Sequence, residues 1–245
     1  MTTPDDIASA EPWSVRAVNL PEHARNAIHT NEGAQAAGFR AALVAGVTVY
    51  AYLTHVPAAC WGRDWIGGGA AEVSFRAPVV DGDPVDCAPR VVDDRLIVDA
   101  VVDDEARATA TFGQGDGGVA QPHRAGDELR PVELVLAGEW DGYGTRAGDD
   151  LPIYTSEGLV HPAVWPALAN DVFHAQLVQG SWIHTRSRIR HHGTALVGAR
   201  ARVEATVFDR FETRTGERAV ADVTISVDGR PVATLEHEAI VRLAH

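Results

Sequence analysis

The 245-residue chain contains no lysine; all 21 of its basic residues are arginine, set against 34 acidic ones. Its formal charge of −13 repels phosphate backbones, which excludes nucleic acid as a general partner. Cysteine is equally scarce. Cys60 and Cys87 stand alone, without CxxC or metal-ligand spacing, so no disulfide framework and no zinc site is expected. Long apolar runs are missing. The longest, Ala41 to Ala51, is broken by Gly46 and Thr48 and is too short to cross a bilayer. The opening MTTPDDIASAEPW has neither the basic start nor the apolar core of a secretory signal. A cytoplasmic protein without membrane contact is therefore expected. No Gly-x-Ser-x-Gly elbow occurs, and GQGDGG at 113–118 does not open a helix, which excludes an α/β-hydrolase and a dinucleotide loop. Asp93-Asp94 and Asp103-Asp104 read as strand-end turns with no third or fourth oxygen near them, so neither metal nor cofactor is expected.

What is present is ordinary globular material: 45% hydrophobic and 22% charged residues, enough to bury a sizeable core. Residues 1–12 are polar and acidic and read as a flexible arm. Trp13 to Leu20 alternates as a first strand, and Asn31 to Ala37 reads as a short helix ended by Gly38. Leu43 to Val56 (LVAGVTVYAYLTHV) is apolar on nearly every side and fits a buried helix that stops at Pro57. Strands follow over 71–80, 85–92, 95–102 and 106–112. A glycine-rich stretch over 113–130 reads as a linker. The second half, 131–245, repeats the order: a strand, helical text around PAVWPALANDVFHAQLV, then strands over 181–190, 199–208, 218–227 and 231–242. Placing Gly82 over Gly193 sets the two units 111 residues apart. The pattern predicts an α+β protein of two units, each a curved antiparallel sheet round one long helix, joined side by side to remove open edges.

The chemistry-bearing stretch is Asn26-Ala27-Ile28-His29, followed by Gly46 near the start of the long helix. Helix-start amides are unpaired and partly positive, and a glycine lets a ligand oxygen approach them. A histidine facing such amides supplies a proton carrier and an oxyanion site, which enolate chemistry beside a thioester requires.

NAIHTNEGAQAAGFRAALVAGVTVYAYL, with VSFRAPVVDGDPV after it, resembles the MaoC-like (R)-specific enoyl-CoA hydratases and acyl dehydratases of the hotdog fold. The chain keeps Asn26, His29, Gly46, Phe75, Pro78, Val79, Gly82 and Asp83 of that family's motifs. The resemblance covers residues 13–112 directly and implies a double hotdog, with 131–245 as the partner hotdog. It implies hydration of a 2-enoyl thioester, or the reverse, on a small acyl substrate carried by coenzyme A or a carrier protein. There are departures. The family's aspartate falls on Ala24, its proline on Ala27, and its histidine before the helix glycine on Ala45.

Three readings therefore compete: a hydratase or dehydratase, a divergent lyase, isomerase or cyclase using His29 as single proton carrier, and a non-catalytic acyl-binding or partner subunit. The candidate catalytic residues are His29 as acid or base, Asn26 orienting the substrate, the Gly46 amide, and Glu22 (or His23) replacing the missing aspartate. Trp61 and Trp65 are candidates for lining an acyl pocket. Arg186 and Arg188, which alternate along one strand with Arg190, are candidates for meeting carrier phosphates. His174 and His184 read as structural residues, and His161 precedes the second helix without an accompanying Asn-x-x-His. Oligomeric state is open, a homodimer included.

Overall fold

The computed structural model describes residues 10–115 and 118–244; most of the expected arm over 1–12 lies outside them. The first half opens with β1 (Trp13–Arg16) and crosses a polar loop with 3-10 turns at Pro21–His23 and Ala27–His29. Helix α1 (Asn31–Ala36) follows, capped by Thr30, whose Oγ1 accepts from the Gly33 amide at 3.1 Å. Helix α2 (Gly46–Gly68) comes next, with every residue from Val47 to Ala58 buried. It runs through Pro57 rather than stopping there. Proline forfeits one backbone bond, and the following turns offset that loss by burying Trp61, Trp65 and Ile66. The break falls at Gly62, whose positive φ of 56° a side chain would resist.

Four strands complete this half: β2 (Ala70–Phe75), β3 (Pro84–Val92), β4 (Arg95–Val102) and β5 (Glu105–Gly113). Asp93-Asp94 and Asp103-Asp104 join β3 to β4 and β4 to β5 with positive φ at both residues, as two-residue hairpin turns demand. The second half begins with β6 (Asp127–Glu128) and β7 (Val132–Val135). Two short helices follow, α3 (Tyr143–Ala147) and α4 (Pro152–Glu157), then the main helix α5 (Val164–Gln176). It ends with β8 (Ile183–His191), β9 (Arg200–Thr213), β10 (Gly216–Val227) and β11 (Arg230–Leu243).

All strands enter one antiparallel sheet of order β1-β3-β4-β5-β2-β8-β11-β10-β9-β6, with β7 also on β9. The halves meet where β2 pairs with β8, from Ala70↔Arg190 to Ser74↔Arg186. Helix α2 lies against β3, β4, β5 and β8, and α5 against β8, β9 and β11. The internal repeat shows in recurring contacts, at an offset other than the one read from sequence. The Leu43↔Val80 bridge recurs as Leu159↔Leu196, and Val44 N–H to Val79 O recurs as Val160 N–H to Ala195 O. Gly82 (φ 85°) corresponds to Gly198 (φ 88°), not Gly193, because only Gly198 shares the positive φ and an amide bond to the residue just after a strand, Ala17 after β1 and Leu136 after β7.

The outer face of the sheet is charged and covered by the connecting segment. His123 bridges Thr206 Oγ1 (2.9 Å) and Thr224 Oγ1 (2.8 Å), and Arg124 pairs with Asp222 and Glu236. Among the described residues no helix is long and apolar enough to cross a membrane.

Histidines are unusually frequent inside. Burial lowers His23 and His184 to about 3, His191 to about 4, and His237 well below its ordinary value. Their unfolded counterparts take up protons near pH 6.5, while the folded ones do so only at lower pH. Stability is thus complete above pH 6.5 and falls as pH drops toward 4, by roughly 1.4 kcal/mol per pH unit for each such histidine. Calorimetry should show Tm dropping steeply between pH 6.5 and 4; a flat Tm across that window would mean these imidazoles are solvated. Trp65 is fully buried, its ring edge-on to Phe112 and His191. Trp65→Ala should therefore cost about 3–5 kcal/mol of stability in denaturant titrations.

Candidate active site

The polar loop between β1 and α1 is tied down from both sides. Asn26 Nδ2–H donates to the Trp182 carbonyl in the second half (2.9 Å), which fixes the side chain and leaves Asn26 Oδ1 buried without a partner. His29 Nδ1 lies 2.8 Å from the Leu43 carbonyl. A carbonyl only accepts, so Nδ1 carries the proton and Nε2 carries the lone pair. Nε2 has no protein hydrogen bond among the described residues. Burial lowers the His29 pKa below its ordinary value, opposed by the Leu43 bond, and so favours the neutral ring.

Gly46 is the first residue of α2. The first bonds of that helix are Thr48 N–H and Val49 N–H to Ala45 O, at 2.9 and 3.0 Å, so the Gly46 and Val47 amides precede the ladder and lack helical acceptors. His29 and Gly46 line the same cavity, which encloses about 200 Å³. Its walls are largely apolar, from Ile28, Phe39, Leu43, Val49, Phe75 and Val79 on one side to Ala167, Trp182 and Ile183 on the other. The polar groups among them are few, as ligand sites require.

Glu22 is engaged outside the cavity. Its carboxylate is 4% exposed and held by Arg146 at 2.7 Å, and it is not part of the cavity wall. His23 does line the cavity, with its ring centroid 6.0 Å from that of His29. His23 Nε2 is 3.0 Å from Tyr143 Oη, which lies 2.8 Å from Thr48 Oγ1. Desolvation first, then the neighbouring His29, Arg25 and Arg146, makes His23 hard to protonate.

The tryptophan and arginine candidates lie elsewhere. Trp61 and Trp65 belong to the core and do not line the cavity. Arg186 and Arg188 project from the outer sheet face, where Glu72 and Glu236 pair with both and Glu238 also with Arg186. Sequence reasoning missed four residues that the second half contributes: Asn170, Asp171, Trp182 and His184. Asn170 Oδ1 and His184 Nδ1 are buried without partners, like Asn26 Oδ1. Asp171 pairs with Arg25, but burial outweighs the pairing and pushes its carboxyl up to about 6. The helical period of α5 carried a signal for Asn170 and Asp171, while nothing local marked His184.

No family model and no curated protein matches the sequence. Among solved structures, the chain is similar to a MaoC-like dehydratase at 16% identity, over 96% of this chain and 98% of that one, with a TM-score of 0.55. It is similar to a Mycobacterium tuberculosis protein with a double hotdog fold at 11% identity, over 98% of each chain, with a TM-score of 0.64. A third likeness is to the tesB protein of Mycobacterium avium subspecies paratuberculosis, at 15% identity over 98% and 100%, with a TM-score of 0.60. The fold is a double hotdog, α+β, as the motifs implied.

A Cβ added at Gly46 would meet Phe75 Cε1 and Cζ at 3.4 Å and His184 Nδ1 at 3.5 Å, contact without collision. Gly46→Ala should therefore fold with Tm unchanged or raised, while filling the space in front of the amide. Ligand affinity should fall at least about tenfold, as expected when one polar contact is lost; unchanged affinity would remove Gly46 from the site.

Proposed function

We propose that this cavity is the active site of an enzyme that reversibly removes water from a 3-hydroxyacyl thioester to give the 2-enoyl thioester. One observation carries the reading: the Leu43 carbonyl holds the proton of His29 on Nδ1, so the lone pair on Nε2 of this half-buried imidazole shares a largely apolar cavity with the Gly46 amide. In the dehydration direction Nε2 takes the proton from Cα. The electron pair moves onto the thioester oxygen, which the Gly46 amide holds. As the double bond forms, the C–O bond at Cβ breaks, and the imidazolium returns its proton to the departing oxygen as water. The buried oxygens of Asn26 and Asn170 accept from the substrate hydroxyl or from the water, which gives two unpartnered atoms their donors. The likeness to a dehydratase and a tesB protein supports an acyl substrate. Arg76, exposed at the cavity wall, replaces Arg186 and Arg188 as the cation for a carrier phosphate.

A second reading follows from Ala24. Without a carboxylate beside His29, one base alone suffices for shifting a double bond or closing a ring at Cα. The two readings separate on enoyl-CoA esters of graded chain length by mass spectrometry, because hydration adds one water to the ester and isomerisation leaves its mass unchanged. Gain of one water with wild type, and a rate at least about a hundredfold lower with His29→Ala, is the expected result. Since burial lowers the base, kcat/KM should decline only below pH 6.5 on its acid side. Full activity in His29→Ala sinks the assignment, and ligand binding without turnover of any ester leaves only an acyl-binding role.

A further inference from the structure

His184 lies on β8 and takes no part in the steps above, yet it stands at the cavity wall beside Gly46. Its Nε2 is 2.9 Å from Ser187 Oγ, and the same hydroxyl is 2.8 Å from His237 Nδ1 on β11. All three side chains are buried, and the outer atoms of the chain, His184 Nδ1 and His237 Nε2, have no protein partner. The serine has a single proton, so it donates to one imidazole and accepts from the other. Two arrangements result. In the first, His184 donates from Nε2, Ser187 donates to His237, and His184 Nδ1 is bare. In the second, His237 donates from Nδ1, Ser187 donates to His184 Nε2, and His184 carries its proton on Nδ1. Each group keeps one proton in both, so the change is one of tautomer alone.

Only the second arrangement presents a donor to the cavity. A Cβ on Gly46 would stand 3.5 Å from His184 Nδ1. The Gly46 nitrogen and that Cβ share one Cα, so the two nitrogens are at most about 6 Å apart. That is about twice one N–H···O distance, so one oxygen can reach both. Burial keeps His184 neutral, so it donates without releasing its proton.

We propose that His184 Nδ1–H is the second donor of the oxyanion site, paired with the Gly46 amide, and that Ser187 and His237 hold the tautomer that presents it. The proposal rests on the acyl-thioester reading of the cavity. A carbonyl oxygen selects the donating tautomer, since a bare Nδ1 would repel it. The catalytic contribution then comes from both hotdog units, one supplying the base and the amide, the other the imidazole donor. Ser187 and His237 are positioning residues in this scheme.

Acetoacetyl-CoA and its N-acetylcysteamine analogue test it, because their enolates absorb in the ultraviolet and oxyanion donors lower the pH at which the bound ligand ionises. The ionisation midpoint of the bound probe should rise by about one pH unit or more in His184→Phe, a tenfold change in the constant. Ser187→Ala, which disturbs the fold least, should raise it in part, and His184→Asn, whose Nδ2–H replaces Nδ1–H, should restore most of the loss. A wild-type midpoint in both His184→Phe and Ser187→Ala, with the probe bound, overturns the proposal and leaves the acyl-thioester reading intact. Failure of wild type to bind either probe removes that reading, and the proposal with it.

Discussion

The pairing of β2 with β8 is the constraint on which the site depends. Each hotdog unit wraps its sheet round its own helix, and neither encloses the cavity by itself. The ladder from Ala70↔Arg190 to Ser74↔Arg186 makes the two sheets one. It thereby brings β8 and the start of α2 together, so that His184 faces Gly46 and Phe75 packs on the His184 ring at 4.7 Å. A shift of one residue along this ladder would send Ser187 and Ile189 to solvent and Arg186 and Arg188 into the core, a cost large enough to fix the register.

The electrostatics of the cavity follow from what surrounds it. The chain is strongly acidic, yet the histidines in this wall face mostly apolar side chains, and desolvation is the first cause of each depressed pKa. Neutral imidazoles act as bases and donors in such a setting, and of the wall's fixed cations, Arg25 and Arg76, the first further disfavours a protonated His23. The one carboxyl in the wall, Asp171, is paired with Arg25 and still pushed up by burial. Charge that develops on a substrate oxygen therefore meets oriented dipoles and not water, the condition under which hydrogen-bond donors stabilise an oxyanion most.

Much of this was legible in the sequence, and the failures share one cause. The alternating strands, the capped start of α1 and the apolar run of α2 are local patterns, and all were read with the right element type. His29, Asn26 and Gly46 belong to one local motif and do share a cavity. Trp182 and His184 lie more than a hundred residues further on, and no local period reports a contact made through a sheet ladder. Glu22 lies outside the cavity for a different reason. Pro21–His23 is a 3-10 turn of three residues, in which neighbours point about 120° apart, so His23 turns inward and Glu22 turns to Arg146. Trp61 and Trp65 looked like pocket walls because α2 was expected to end before them.

The repeat also explains why the two halves do not carry the same site. The shared bridges place His161 where the first half has Ala45, and Pro162 where it has Gly46. Proline has no N–H, so the second helix start offers no donor at the position of the Gly46 amide. His161 is committed as well: its Nδ1 accepts from Ala163 N–H at 3.1 Å, and its Nε2 donates to Asp149 at 3.1 Å. Burial raises the Asp149 pKa, but the bonds from His161 and from His55 on α2 outweigh it and hold the carboxylate well below its usual range. What would be a base in the second unit is thus a strut between the units. The first unit, relieved of that task by Ala45, keeps its helix start open to a ligand.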